Sequence, residues 1–247
     1  MRRWLPSPTR RIHRRRRQHP QPTLPEAQLR AAWQVLSLLL DYPTETLVAQ
    51  LPLVREALTG FPTWVRTPLA GLCDHLERTP LRSLQGDYVA TFDTTRKRAL
   101  HLTYYVHGDT RKRGIALVQF KQAFRRGGLE VNDRELPDHL CVVLQFGATA
   151  DVGTSWRLLN DHRVSVELLQ RGLDEWQSPW AGAVRALRAT LPELDGDQRE
   201  AVAALLAQGP PNEHVGFDAY SLDPLLNPHP DSDPDAAPTL DRQGALR

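Results

Sequence analysis

Apolar residues recur at alternating three- and four-residue intervals through most of this chain, and no stretch alternates apolar with polar residues between hairpin turns. A three-four period lays one side of an α-helix against a core, whereas a strand needs a period of two, so the pattern points to an all-α fold. Leu29, Ala32, Trp33, Leu36, Leu39 and Leu40 form the first such face, behind Pro25 at a first-turn position and ahead of a stop at Asp41-Tyr42-Pro43. The spacing predicts a second helix from Glu45 to Leu58, kinked at Pro52, and a third that begins with Thr67 as N-cap and Pro68 in its first position. Leu81, Leu84, Tyr88, Val89 and Phe92 mark a fourth. Asp93 then caps a helix running to about His107, and Gly108 stops it in a left-handed turn. Asp109 caps the next helix, which carries Ile115, Leu117, Val118 and Phe124 and ends at Gly127-Gly128, closing a tight helical hairpin. Asp138 caps a short helix through Phe146, and a long one spans Ser155 to Trp176 with Leu158, Leu159, Val166, Leu169, Leu173 and Trp176 facing inward. Two more follow near Trp180 to Leu191 and Gln198 to Gln208, giving a single-domain helical bundle of about eight or more helices.

The ends of the chain read differently. Residues 1 to 24 are an Arg/Pro-rich arm, residues 25 to 217 the helical domain, and residues 218 to 247 an acidic, Pro-rich tail with no Lys or Arg between Asp218 and Asp241. Neither end has the apolar content to offset its ordering entropy, so both are expected to be disordered and dispensable for folding. The net charge of +2 is an average: eight of the 31 basic residues lie in the arm, and without them 23 bases face 29 acids. An acidic body argues against a nucleic-acid surface there. Arg2-Arg3 imitates a twin-arginine start, but Pro6, Pro8 and a run of arginines stand where an apolar core would be. No window approaches the roughly 18 apolar residues that a membrane span needs. Cys73 and Cys141 belong to no paired metal or redox motif, and a reducing cytoplasm suits both as buried thiols.

Enzymatic motifs are missing from the sequence. It has no Gly-rich phosphate loop, no G-x-S-x-G elbow and no H-E-x-x-H pair. His101, His107 and Asp109 are the best metal candidates, yet on one continuous helix the two histidines would stand about 240° apart around the axis. Hydrogen-bonding or recognition roles suit them better. Two places break local rules. Arg111, Lys112 and Arg113 crowd the first turn of a helix, where the macrodipole disfavours positive charge, so either solvent screens them or an acidic group meets them. The run Leu136-Pro137-Asp138-His139-Leu140 is either an N-cap at Asp138 or part of a recognition surface.

The central blocks, taken together, resemble a known family. Tyr88-Val89-Ala90-Thr91-Phe92-Asp93, Arg96 to Leu102, His107-Gly108-Asp109-Thr110-Arg111-Lys112-Arg113-Gly114, Leu136 to Leu140 and Leu144-Gln145-Phe146 are similar to the nitrate reductase molybdenum-cofactor assembly chaperones, also called delta subunits. Leu38 to Pro43 resembles their first-helix ending and Glu213 to Phe217 their C-terminal segment, so the likeness covers roughly residues 33 to 217. His139 stands where that pattern has an aromatic, Cys141 where it has a proline, and Gln145 where it has a glutamate.

The resemblance implies a cytoplasmic helical maturation factor with no catalysis, metal or cofactor of its own. It would bind the apo catalytic alpha subunit of a respiratory nitrate reductase through that subunit's N-terminal segment. There it would hold the subunit ready for molybdenum cofactor insertion and delay membrane docking. The expected partner-peptide site comprises His101, Tyr104, Tyr105, His107, Asp109, Arg111, Arg113, Pro137, Asp138 and His139. A helix-in-groove mode would suit it. Neither nucleic acid nor direct membrane insertion is implied, and the competing reading is a nucleic-acid binder acting through the arginine arm.

Overall fold

The structure, a computed structural model, describes residues 24–108, 110–130 and 136–208. Those residues fall in one compact unit and contain α-helices, one 3-10 turn and no strand. The arm through residue 23, Asp109, and the tail beyond residue 208 lie outside them. Leu24, which composition assigns to the arm, is buried in the core.

Helix α1 (Glu26–Leu39) buries Leu29, Ala32, Trp33, Leu36 and Leu39, as its period requires. It crosses α7 (Leu140–Thr149) where that helix has Gly147: a Cβ there would lie 2.5 Å from Trp33 Cε3 and 2.6 Å from Ser155 Cβ. The Arg30 guanidinium closes the same crossing by donating to the carbonyls of Gly147 (3.2 Å) and Ala148 (3.3 Å), free acceptors near the helix C-terminus. Helix α2 (Glu45–Thr59) starts at Thr44, whose hydroxyl accepts from the Leu47 N–H at 3.1 Å, and contains Pro52.

Helix α3 (Thr63–Arg78) begins well before Pro68, which is an interior residue and not the predicted first one. Val65, ahead of the proline, shares the buried stripe with Leu69, Leu72 and Leu76, and that packing outweighs the hydrogen bond Pro68 cannot donate. Gly182 of α10 (Ala181–Thr190) rests on the proline's carbonyl, where an added Cβ would come within 2.5 Å. Helix α4 (Leu81–Phe92) brings Tyr88 and Phe92 edge-on to Trp180, with both ring centroids 5.7 Å from the indole.

Two predicted helices are interrupted. Between Asp93 and His107 the chain makes only a 3-10 turn (Arg96–Arg98) and a single turn, α5 (Tyr104–His107). The N–H groups of Leu102 and Thr103 there bond to Asp138, far along the chain, instead of continuing a helix. The predicted long helix is likewise α8 (Val152–Asp161) and α9 (Arg163–Glu175), divided at His162. Trp176, expected inside, is 53% exposed at the end of α9 and is covered by the Arg98 guanidinium, 4.1 Å from the ring centroid. Helix α6 (Arg111–Arg126) buries Ala116, Phe120, Ala123 and Phe124 and turns Ile115 and Val118 outward. Its N-cap is Thr110. Helix α11 (Gly196–Gln208) completes the described chain. Cys73 and Cys141 are buried free thiols, as anticipated.

Gly147→Ala should lower stability by about 1–3 kcal/mol through overpacking against Trp33 and Ser155. Gly71→Ala, on an exposed turn of α3 with nothing within 4 Å of the new methyl, should raise it by about 0.5–1 kcal/mol. Denaturant melts of the two variants check the pair, and equal shifts would contradict the α1–α7 crossing.

Candidate functional site

The predicted site residues lie on two loops that are joined edge to edge. Leu102 N–H donates to the Asp138 carbonyl (3.0 Å) and Leu140 N–H to the Leu100 carbonyl (2.7 Å), an isolated antiparallel bridge that sets His101 opposite His139. Their rings meet edge to face with centroids 5.1 Å apart.

Asp138 sits beneath this bridge with a side chain that is 0% exposed. It does not cap the helix that follows it: His139 occupies that position, with no side-chain bond. The carboxylate reaches instead across the chain to the start of α5, where one oxygen accepts from the Thr103 N–H (3.2 Å) and hydroxyl, and the other lies 3.3 Å from His101 Nδ1. A short helix thus has a cap supplied by a distant loop. Arg113 approaches from α6. The period that buries Phe120 also turns Arg113 inward, so that its Nε donates to the Thr103 hydroxyl at 3.3 Å and its Nη2 lies 3.8 Å from Asp138. Tyr104 lies between two guanidinium groups, with Arg113 at 5.3 Å and Arg96 at 5.7 Å from its ring centroid.

Burial by itself would raise the Asp138 pKa. Hydrogen bonds from His101 and Thr103, with the charges of His101 and Arg113, outweigh it and hold the carboxyl below its ordinary value. His139 goes the other way from an ordinary imidazole: burial first, then the His101 charge, pushes it down to about 4. Burial also lowers His162 and raises the Tyr105 phenol.

The bundle thus gathers His101, Tyr104, Arg113, Asp138 and His139 at one place. His107 lies partly exposed at the far end of α5, where its charge is felt by His162, and Arg111 points into solvent. Pro137 is buried, and Asp109 is outside the described residues. The Tyr105 hydroxyl is directed at the carbonyls of Lys97 (3.1 Å) and Ala99 (3.0 Å), which fixes the 3-10 segment. Sequence reasoning missed Thr103, whose position just before Tyr104-Tyr105 is the signal of a helix start. It also missed a groove of about 190 Å³ beside the two tyrosines, walled by Leu168, Leu205 and Leu206, floored by Gly172 and rimmed by Arg96, Lys97, Arg171 and Glu175. Leu168 and Leu205 carry no separate signal, because a three-four period cannot tell a core face from a groove wall. Among the described residues no three His, Cys, Asp or Glu side chains converge on a metal position, and no helix is long and apolar enough to cross a membrane.

Both joined loops and the helices that carry them lie within residues 59–186, which match the family model described as nitrate reductase delta subunit. The chain belongs to this family. Among its relatives, the nitrate reductase-like protein NarX of Mycobacterium tuberculosis is 35% identical over 158 residues, which is 64% of this chain but 24% of that protein. The "Probable nitrate reductase molybdenum cofactor assembly chaperone NarJ" of Bacillus subtilis is 29% identical over 166 residues, 66% of this chain and 89% of that one. The nitrate reductase molybdenum cofactor assembly chaperone NarJ of Escherichia coli K12 is 30% identical over 151 residues, 60% and 64% of the two chains. This delta-subunit chain therefore spans about a quarter of the mycobacterial relative and most of the Bacillus one.

Unfolding frees His139 to bind a proton below its ordinary value of 6.5, which the folded state resists until about 4, so stability should fall as pH drops through that interval. His162 contributes with the same sign. Asp138 acts lower: its contribution is full above 3.8 and disappears as pH falls through its depressed folded value. Denaturant midpoints of the parent should decline between pH 6.5 and 4, and His139→Phe should make that limb shallower while leaving the steeper loss below it. A parent midpoint that stays level from pH 6.5 to 4 would contradict the buried neutral imidazole.

Proposed function

We propose that this chain is an assembly chaperone for a respiratory nitrate reductase. It binds the apo catalytic alpha subunit by its N-terminal segment, keeps that subunit competent for molybdenum cofactor insertion and delays membrane docking until it is mature. The observation that carries this reading is the family match over residues 59–186, which contains the whole Asp138 assembly and all but the α11 wall of the groove beside it. Two of the relatives bear assembly-chaperone names.

The geometry supports a binding role. A groove with aliphatic walls, two tyrosine bodies and charged rim groups takes an amphipathic segment by its apolar side and orients it by its polar side. Tyr104 and Tyr105 are the inner wall, while the partly exposed His101 and His107 lie along the proposed path of the peptide. Asp138, with both oxygens occupied, acts on the peptide indirectly by holding residues 101–103. No turnover is assigned to the chain. It works in this reading by occupying a partner and then leaving it.

Calorimetric titration of the alpha subunit's N-terminal peptide tests the proposal. Leu206→Asp, which puts a charge on the exposed wall of the groove, should weaken binding at least about tenfold with the melting temperature unchanged, since buried apolar anchors dominate such interfaces. Asp138→Asn should lower both stability and affinity. In cells, nitrate reduction should be lost without the chain and return only when it is present during synthesis of the alpha subunit. Full reductase activity in its absence, or peptide affinity indifferent to Leu206→Asp, would overturn the reading.

A further inference from the structure

Helix α6 is divided by its own periodicity. Its sequence holds six cations and no acid. One side, with Arg113, Phe120 and Phe124, faces inward to the Asp138 assembly and the core. On the other side Arg111, Ile115, Val118, Gln122 and Arg125 follow one another at three- and four-residue steps, a stripe about 80° wide and about 21 Å long. Ile115 is 59% and Val118 52% exposed, so two aliphatic side chains stand in solvent with a guanidinium beyond them at each end. An ordinary solvated face has polar groups at its centre. The first turn, moreover, carries cations without an acidic residue or a side-chain cap, which opposes the helix dipole.

We propose that this outer face of α6 is a docking surface for an acidic amphipathic helix of a partner protein. Its aliphatic ridge would lie over Ile115 and Val118, and carboxylates one turn beyond on either side would meet Arg111 and Arg125. Charge complementarity fixes the sign of the partner, because the stripe offers cations alone. Its composition selects a helix over an anionic membrane: Phe120 and Phe124, the residues able to enter a bilayer, are buried, and no aromatic stands on the stripe. The surface lies on the side of α6 opposite Arg113, and no α6 residue lines the groove between α5, α9 and α11, so it is a second contact and does not rest on the first.

Fluorescence anisotropy with the full chain tests this. The probe is a labelled synthetic helix with two leucines three residues apart and glutamates one turn beyond them on each side. A copy with lysine in place of every glutamate is the control. The glutamate helix should bind, and the double variant Arg111→Glu/Arg125→Glu should weaken it at least about tenfold, with the loss shrinking as salt screens the pairs. The lysine helix should prefer the double variant over the parent. Ile115→Ser should weaken the glutamate helix at unchanged salt dependence, which separates the ridge from simple charge attraction. These residues are exposed, so the variants should melt like the parent; should the charge reversals lower the melting point, Arg111→Gln/Arg125→Gln replaces them. No binding of the glutamate helix, equal affinity for parent and variants, or tighter binding of phosphatidylserine vesicles or duplex DNA through the same residues would overturn the proposal.

Discussion

The Asp138 carboxylate is the contact on which the candidate site depends. Loops 99–103 and 136–140 share two backbone hydrogen bonds, and the α5 turn that follows the first loop has four residues. A helix that short does not hold itself in water. The Thr103 N–H at its start is satisfied because a carboxylate from elsewhere in the chain reaches it, and that carboxylate tolerates full burial because Thr103, His101 and Arg113 surround it. Deprived of it, the buried Thr103 N–H would lose its acceptor, a cost of about 1–3 kcal/mol, and Tyr104 would lose the backbone that places it against the groove.

Helix α9 supports the same segment from behind. Its buried residues go nearly all the way round it and include polar ones: Arg163 lies 3.5 Å from Glu167, and Glu167 accepts from Arg188 at 2.8 Å. Burial lowers the Arg163 pKa, yet the pair with Glu167 and a bond from its Nε to the Pro192 carbonyl (3.2 Å) keep the guanidinium in place. Such a group contributes little net stability but fixes which helices meet, since breaking it would strand a buried charge. One turn short of the C-terminal end, Gly172 lets the 3-10 segment lie directly on α9: an added Cβ would come within 2.6 Å of the Lys97 carbonyl. The groove floor is therefore set by a glycine, and its inner wall by the tyrosines pinned above.

Short-range periodicity is enough to locate α1, α2, α4 and α10, whose apolar stripes are governed by a core on one side. It fails at three places for one reason. Pro68 sits inside α3 because Val65 ahead of it packs in the core with Leu69 and α10 rests on its carbonyl; residues 93–103 leave the helix because their partners are some 35 residues away; His162 divides α8 from α9, and its ring packs against Phe120 of α6 with centroids 4.9 Å apart. All three are decided by tertiary contacts that a local pattern does not contain. The site was legible as a set of residue types, in that His101, Tyr104, Arg113, Asp138 and His139 do come together. Their roles were not, because an aspartate before a helix looks the same whether it caps that helix or reaches across to another. The aliphatic wall contributed by Leu168, Leu205 and Leu206 was invisible, since its partners lie on α5.

Gly108 connects the two faces of this arrangement. Its backbone (φ 54°, ψ −154°) lies where a side chain is not tolerated, and its N–H closes α5 onto the Tyr104 carbonyl at 2.7 Å. It ends α5 three residues before α6 begins. Arg113 and Arg111 are two residues apart on α6, about 160° by the short way round, so the rotation that carries the first toward Thr103 necessarily carries the second into solvent. An inward cation bracing a buried carboxylate and an outward stripe of cations and aliphatics are consequences of a single helical phase. A change that rotates α6 to relax one must disturb the other.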